Sequence, residues 1–546
     1  HATYLVKSRR PGLDGRKERY VFVVRVTLTQ GALRAGDEIS LIYGDTSQGS
    51  RGMTASIVST LPEAVLLAVN ATGKGDFELH PDRPTLQTFG GPVTDLMLVG
   101  PSTLVVGKPA ELHLSVLDAN HNADTAFREE VAFEVLQGQA DVPSTARFEP
   151  GKGWVTVKFT PRKAGLLRLR ATARNRILTA HSNPMLVFEG EPPLKLYWGD
   201  LHSHTRYSWD GVGEGSFDYA RFVTGLDFYA MTDHSRVPEE GFTTGLGPHV
   251  WDEYTKLTEQ HNDPGNFVTL HAYEASFGRP YGHHNVYFRG KPGPLLAPKK
   301  VTLPELWKAL TAGEALTVPH HPGKFPQPVL WQPHDPERRR NFEIYSAHGL
   351  SEAFDPTHPL AFEQSDFTYA GRSVRGPQFA QDAWMAGLEV STIAASDDHR
   401  SHPGQPHWGL AAVRATGLTR EEIFDGLYRR RTYGTTGARI LLDFSINGTQ
   451  MGQHTSSAGA PLLKIEAHGT APIEWVEVLR SSKLDGGFKV IFPLRPDGLD
   501  FTWSDRDLGF QDDSIYYVRL RQEGMVRNRV AMAWSSPIWV KRPGNQ

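Results

Sequence analysis

The chain has 546 residues, no cysteine, and 58 Lys and Arg against 61 Asp and Glu, a formal net charge of −3. This length predicts three or four domains with a large buried core. The missing cysteine excludes disulfides, thiolate catalysis and Cys-type zinc sites, and leaves the compartment open. The near-neutral charge and the lack of an 18-residue apolar run argue against a nucleic-acid binder and against membrane insertion.

Residues 1 to about 190 read as β structure. Segment 20–28 (YVFVVRVTL) is β-branched and aromatic, and 38–43 (EISLIY) follows and stops at the turn signal Gly44-Asp45. After Gly90, Gly91 and Pro92, segments 111–117, 131–136, 154–159 and 167–173 are short strands set between Gly, Pro and Asp turns, the pattern of a sandwich. The expected division is an N-terminal β domain over 1–92 and an immunoglobulin-like sandwich over 93–193, with a linker at Glu191, Pro192 and Pro193. From 194 the period changes. Thr302 opens a helical segment over 306–310, and Thr419 with Glu422 is a capping-box signature ahead of 423–431. Strand–helix alternation over 194–437 predicts an α/β barrel or a doubly wound sheet. Alternating segments at 462–467, 475–479, 515–520 and 538–540 predict a C-terminal β-sandwich over 438–546.

Histidine is concentrated in the middle: 16 of 23 lie between residues 202 and 407. Five apolar runs there each stop at potential metal ligands. Segment 194–201 ends in His202 and His204, 226–232 in Asp233 and His234, 267–273 in Glu274, 315–319 in His320 and His321, and 388–396 in Asp397, Asp398 and His399. Parallel α/β folds build their sites at the carboxyl ends of strands, and residues i and i+2 of a strand share a side. His202 with His204, and Asp397 with His399, can therefore each grip one ion. For His283-His284 and His320-His321, alternation predicts that one of each pair faces the site. His249, His261, His271, His334, His358, His402 and His407 lack the strand-end context and read as structural, and His348 is left undecided.

The ordered set Asp200-Leu201-His202-Ser203-His204-Thr205, Ser208-Trp209-Asp210-Gly211, Thr232-Asp233-His234, Glu274, Gly282-His283-His284-Asn285-Val286, His321-Pro322 and Asp397-Asp398-His399 resembles the motifs of the PHP (polymerase and histidinol phosphatase) superfamily. Segment 282–290 resembles its multidomain branch of unknown function. The resemblance spans about 196–437 and implies a distorted (β/α)7 barrel with two to three divalent ions (Mn2+, Zn2+ or Fe2+). It implies His202, His204, Glu274 and His321 on the first ion, and Glu274, His284 and Asp397 on the second. Asp210, His234 and His399 would hold the third. His284 is chosen over His283 for its place before the apolar run, and His321 over His320 for the His-Pro match. Asp210 comes one residue late, because Trp209 is inserted in the family's Ser-Asp-Gly.

Three divalent ions against Asp210, Glu274 and Asp397 leave a pocket of about +3, which suits a small anionic ester. The expected reaction is hydrolysis of a phosphate mono- or diester by a hydroxide held between two ions, with a metal-bound water or an acid such as Asp398 protonating the leaving group, and the third ion with Arg206, Lys324, Arg400 or Arg431 holding the oxygens. Three alternatives compete: a sulfate ester hydrolase, an amidohydrolase-like binuclear hydrolase, and a non-catalytic surface protein that binds glycans through its sandwiches. Glu274 and the Asp397-x-His399 pair disfavour the amidohydrolase reading, and the full ligand set disfavours an inactive barrel.

Overall fold

The computed structural model describes residues 84–544 except 174–177, 236–245, 298–300, 325–326, 367–371, 374, 407 and 527–528, together with part of 1–83. In that first part Val23–Arg25 pairs antiparallel with Leu5–Lys7, while residues 20–22 lie outside the described set. The strand expected at 38–43 does not form at its described residues 38–40 and 42. Ile39 and Ile42 are exposed there, so the apolar alternation finds no face to bury against.

The four strands expected between 111 and 173 are present as Ala110–Leu117, Val131–Gln137, Trp154–Pro161 and Gly165–Ala173. They divide between two facing sheets. Leu112, Leu114 and Val116 come inward from one and Leu167, Leu169 and Ala171 from the other, the period of two that makes a sandwich core. The sandwich rests on the central region: Trp154 stacks on Phe222 with ring centroids 4.3 Å apart, and Ser115 Oγ donates to the Val223 carbonyl at 2.9 Å. Gly225 (φ +57°) permits a close approach, since a Cβ there would stand 3.0 Å from that of His113.

The central strands are β1 (Lys195–Asp200), β2 (Phe228–Tyr229), β3 (Val268–Thr269), β4 (Ala272–Ser276), β5 (His283–Phe288), β6 (Ala315–His320), β7 (Asn341–Ser346), β8 (Ser391–Ala394), β9 (Leu410–Ala415) and β10 (Thr432–Thr435). β1, β2 and β3 pair in parallel, and β9 and β10 continue that sheet antiparallel. β7 and β8 pair in parallel, whereas β4, β5 and β6 form an antiparallel sheet. These ladders do not join into one closed barrel sheet among the described residues. The departure from uniform β/α alternation has a local cause. Six residues separate β4 from β5, too few for the crossover of about a dozen residues that a parallel neighbour requires.

Helix is scarce: α1 (Pro248–Gln260), α2 (Leu303–Ala309), α3 (Ala380–Met385) and α4 (Arg420–Tyr428) flank these strands. Both expected caps form, with the Thr302 N–H donating to the Glu305 carboxylate at 2.7 Å and the Glu422 N–H donating to Thr419 Oγ1 at 3.3 Å. None of the described helices is long and apolar enough to cross a membrane. The C-terminal strands Ile473–Ser482, Ser514–Val526 and Arg529–Ser535 extend the central sheet, because Arg529–Ser535 pairs with β10. Beneath that junction Glu352, 1% exposed, accepts from Tyr517 OH at 2.5 Å, Arg519 at 2.8 Å and Trp534 Nε1 at 2.9 Å.

Candidate metal centre

The ends of β1, β2, β6 and β8, the middle of β4 and the start of β5 bring imidazoles and carboxylates into one cluster. The loops that carry them are stitched together by main chain: the His204 N–H donates to the Asp398 carbonyl (2.6 Å), Asp397 N–H to His202 (2.8 Å) and Glu274 N–H to Asp233 (3.1 Å). Two buried aspartates brace this frame. Asp200 accepts from the N–H groups of Ser396 and Gly404, and Asp233 from the N–H and hydroxyl of Thr205.

Glu274, fully buried at the middle of β4, is the hub. Its Oε2 lies 3.3 Å from His202 Nε2 and 3.2 Å from His204 Nε2. Its Oε1 lies 2.7 Å from His283 Nδ1 and 3.1 Å from His320 Nε2. Asp397 Oδ1 closes the first set, 3.3 Å from His202 and 3.1 Å from His204. Asp210 Oδ2 faces His234 Nε2 at 3.3 Å and His399 Nε2 at 3.4 Å. Four groups of ligand atoms stand close enough to share an ion: His202, His204 and Asp397; His202, Glu274 and His320; His283, His320 and His321; and His204, Asp210, His234 and His399.

Outer partners fix the rings. Glu343 Oε2 lies 3.1 Å from His202 Nδ1, Ser208 Oγ 2.9 Å from His204 Nδ1 and Ser276 Oγ 2.6 Å from His234 Nδ1. Such partners set tautomer and orientation in metal sites. Burial opposes charge throughout, but Asp397 and Glu343 overcome it and raise His202 well above the usual imidazole value. Asp397 and Glu274 likewise lift His204 to about 10. Against the same burial, His234, His320 and His283 hold Glu274 well below the carboxylate range. His320 and His321 are depressed, burial first and neighbouring imidazoles next.

The donor set fits a divalent cation. Both ring nitrogens of His321 and Oδ1 of Asp210 are buried without a hydrogen-bond partner among the described residues. Such atoms are costly unless something satisfies them. His321 (φ +38°) and Asp397 (φ +53°) also hold left-handed backbone conformations, and this kind of strain gathers at functional sites.

The sequence expectations meet this geometry unevenly. His202, His204, Asp210, His234, Glu274, Asp397 and His399 converge, but their grouping differs from the expected one: Asp397 joins His202 and His204, and His204 also reaches the Asp210 set. His284 turns away. In the antiparallel register Ser276 faces His283 and Ala275 faces His284, so His283 shares the side of Glu274, and His284 Nε2 sits 3.0 Å from Arg339 instead. His320 and His321 both reach the cluster, because the chain leaves β6 at His320 and the positive φ of His321 folds the next ring back.

Asp398 is not placed as an acid. Its oxygens accept from the N–H groups of Arg400 and His402 (2.9 and 2.7 Å) and from Gln405 Nε2 (2.8 Å), so it shapes its own loop. Arg206 pairs with Glu214 at 2.8 Å, and Lys324 with Glu363 at 3.2 Å. Arg431 precedes β10, at the end remote from the cluster. Sequence reasoning missed Glu343 and left His348 open. His348 Nε2 lies 2.9 Å from Asp397 Oδ2, with Glu363 2.9 Å behind it. The strand-end rule reaches His348, since it follows β7, but nothing in the sequence separates Glu343 from a salt-bridge partner.

Comparison with known proteins leaves the chemistry open. The family model described as "Protein of unknown function (DUF3604)" matches residues 239–325 and 353–471. An uncharacterized protein of Chlamydia muridarum is 27% identical over 550 residues, covering 93% of this chain and 84% of its own length. One from Chlamydia trachomatis is 26% identical over 549 residues with the same coverage. Among solved structures, a two-domain protein from Bacteroides vulgatus, described as containing a predicted PHP-like metal-dependent phosphoesterase, is similar at 14% identity and a TM-score of 0.33, covering 64% of this chain and 96% of that one.

Proposed function

We propose that this chain is a metal-dependent hydrolase of phosphate esters, with the cluster held in a distorted, barrel-like ring of strands. The observation that carries the reading is Glu274, whose two oxygens face two different sets of imidazoles, His202 with His204 and His283 with His320. A carboxylate so divided suits a pair of cations. One would be held by His202, His204 and Asp397, its neighbour by His283, His320 and His321, and a third by His204, Asp210, His234 and His399. Mixed imidazole and carboxylate donors suit Mn2+, Zn2+ or Fe2+. Divalent ions bound there supply Lewis acidity towards a phosphoryl oxygen and a water of lowered pKa.

The chain's own residues do the rest. Glu343, Ser208 and Ser276 keep His202, His204 and His234 oriented towards the centre. The buried walls exclude bulk water, and Lys324, 3.2 Å from His348 Nδ1, offers positive charge to an anionic ester.

The test strips the full chain with chelator, restores Mn2+ or Zn2+, and follows nitrophenol release from a phosphomonoester, a phosphodiester, a phosphotriester, a sulfate ester and a carboxyl ester. Metal-dependent turnover of a phosphate ester, abolished in Glu274→Gln, is the expected result. Turnover confined to the sulfate or carboxyl ester, or none with metals bound, overturns the assignment.

A further inference from the structure

Trp209 is the residue inserted between Ser208 and Asp210, and its indole is 47% exposed. Its inner face stacks on His234, with ring centroids 5.7 Å apart and planes 20° apart. His234 in turn faces Asp210 at 3.3 Å, so the indole stands one ring away from the cluster.

The exposure does not come from a loose loop tip, because the chain is pinned on both sides of Trp209. Ser208 Oγ binds His204 Nδ1 (2.9 Å) and accepts from the His234 N–H (3.0 Å). Asp210 faces His234 and His399. Further on, Val212 N–H donates to the His399 carbonyl at 3.0 Å and Arg206 N–H to the Gly213 carbonyl at 3.1 Å. Gly211 sits so tightly on Thr205 that a Cβ would fall 2.3 Å from its carbonyl oxygen. Both neighbours of Trp209 therefore point into the cluster while the loop geometry holds the indole outward. A large aromatic held half in water beside a buried charged centre has a ring face free to stack on a ligand ring.

We infer that Trp209 is a stacking platform that selects phosphate esters whose leaving group carries a flat aromatic ring. This rests on the phosphate-ester reading for the position of the phosphoryl group, and on the loop for the position of the ring. Stacking on an aromatic side chain is sequence-tolerant among bases and contributes about tenfold or more in affinity. An aryl group and a nucleobase share that chemistry.

The test is calorimetric binding of phenylphosphonate, methylphosphonate and a nucleoside 5′-monophosphate to the metal-loaded full chain. The wild type is expected to bind phenylphosphonate about tenfold tighter than methylphosphonate. Trp209→Ala should lose that preference with methylphosphonate affinity unchanged, and Trp209→Phe should restore most of it. Tighter binding of the nucleotide than of phenylphosphonate would assign a nucleobase, and equal binding a general aryl ring. The inference fails if the wild type shows no ring preference, if the preference survives in Trp209→Ala, or if that variant weakens both phosphonates alike. Ring preference without turnover of any phosphate ester would keep the platform and remove the hydrolase. Turnover without ring preference would do the reverse.

Discussion

His283 and His284 differ by one position and by the side of β5 they occupy, which makes them a matched pair for mutagenesis. His283→Ala removes a nitrogen 2.7 Å from Glu274 and should lower bound metal by about one equivalent per chain, read by elemental analysis. His284→Ala should leave metal content unchanged, since its Nε2 faces Arg339. Glu343→Gln keeps the shape but removes the carboxylate behind His202, and losses of this kind weaken metal binding about 10–100-fold. Competition against a fluorescent chelator measures it, and an unchanged affinity would show that Glu343 does not orient the ring. At this scale the sequence is readable up to parity. The ends of apolar runs bring out His202, Glu274 and Asp397, although Glu274 proves to be mid-strand, but choosing between adjacent histidines needs the register of β4 on β5, which depends on a turn whose geometry no local pattern reports. His320 and His321 escape parity altogether through one backbone angle.

Among elements, the contact between the N-terminal sandwich and the central region carries a pH signature. His113 is partly buried on Ala110–Leu117, and loss of solvent around the ring, with Arg439 and Arg221 adding repulsion, pushes its pKa down to about 4 from 6.5. The unfolded chain then takes up a proton between those values that the folded chain refuses. The stability this confers is complete above pH 6.5 and is lost as pH falls towards 4, about 3 kcal/mol for such a shift. His113→Leu should flatten the dependence of unfolding temperature on pH across that window, and an unchanged slope would place the titration elsewhere. The strands of this sandwich were legible because alternation reports one buried face directly. The antiparallel β4–β6 sheet was not: its strands are buried on both faces, and a buried strand carries no sign of its neighbour's direction.

For the whole molecule, the decisive contacts are those that cross from one region to another. Arg168 of the N-terminal sandwich, 7% exposed, reaches Asp500 of the C-terminal strands at 2.7 Å. Glu352 receives Tyr517, Arg519 and Trp534. Glu352→Ala leaves the buried donors of Tyr517 and Trp534 without their shared acceptor, Arg519 retaining Glu477, and should destabilise the protein by about 3 kcal/mol. The urea midpoint checks this, and a shift below about 1 kcal/mol would mean that water replaces the carboxylate. Such long-range pairs join residues more than a hundred positions apart, which is why composition predicted several domains but not how they grip one another.

The pairing of β10 with Arg529–Ser535 has a practical corollary. A gene fragment ending near residue 437 would carry every group of the cluster yet present Tyr433, Gly434 and Thr435 as a bare sheet margin, ready to template the same margin of another copy. Such a fragment should precipitate rather than survive as a minimal folded unit. The last hundred residues are thus a permanent selvedge for the cloth that holds the cluster.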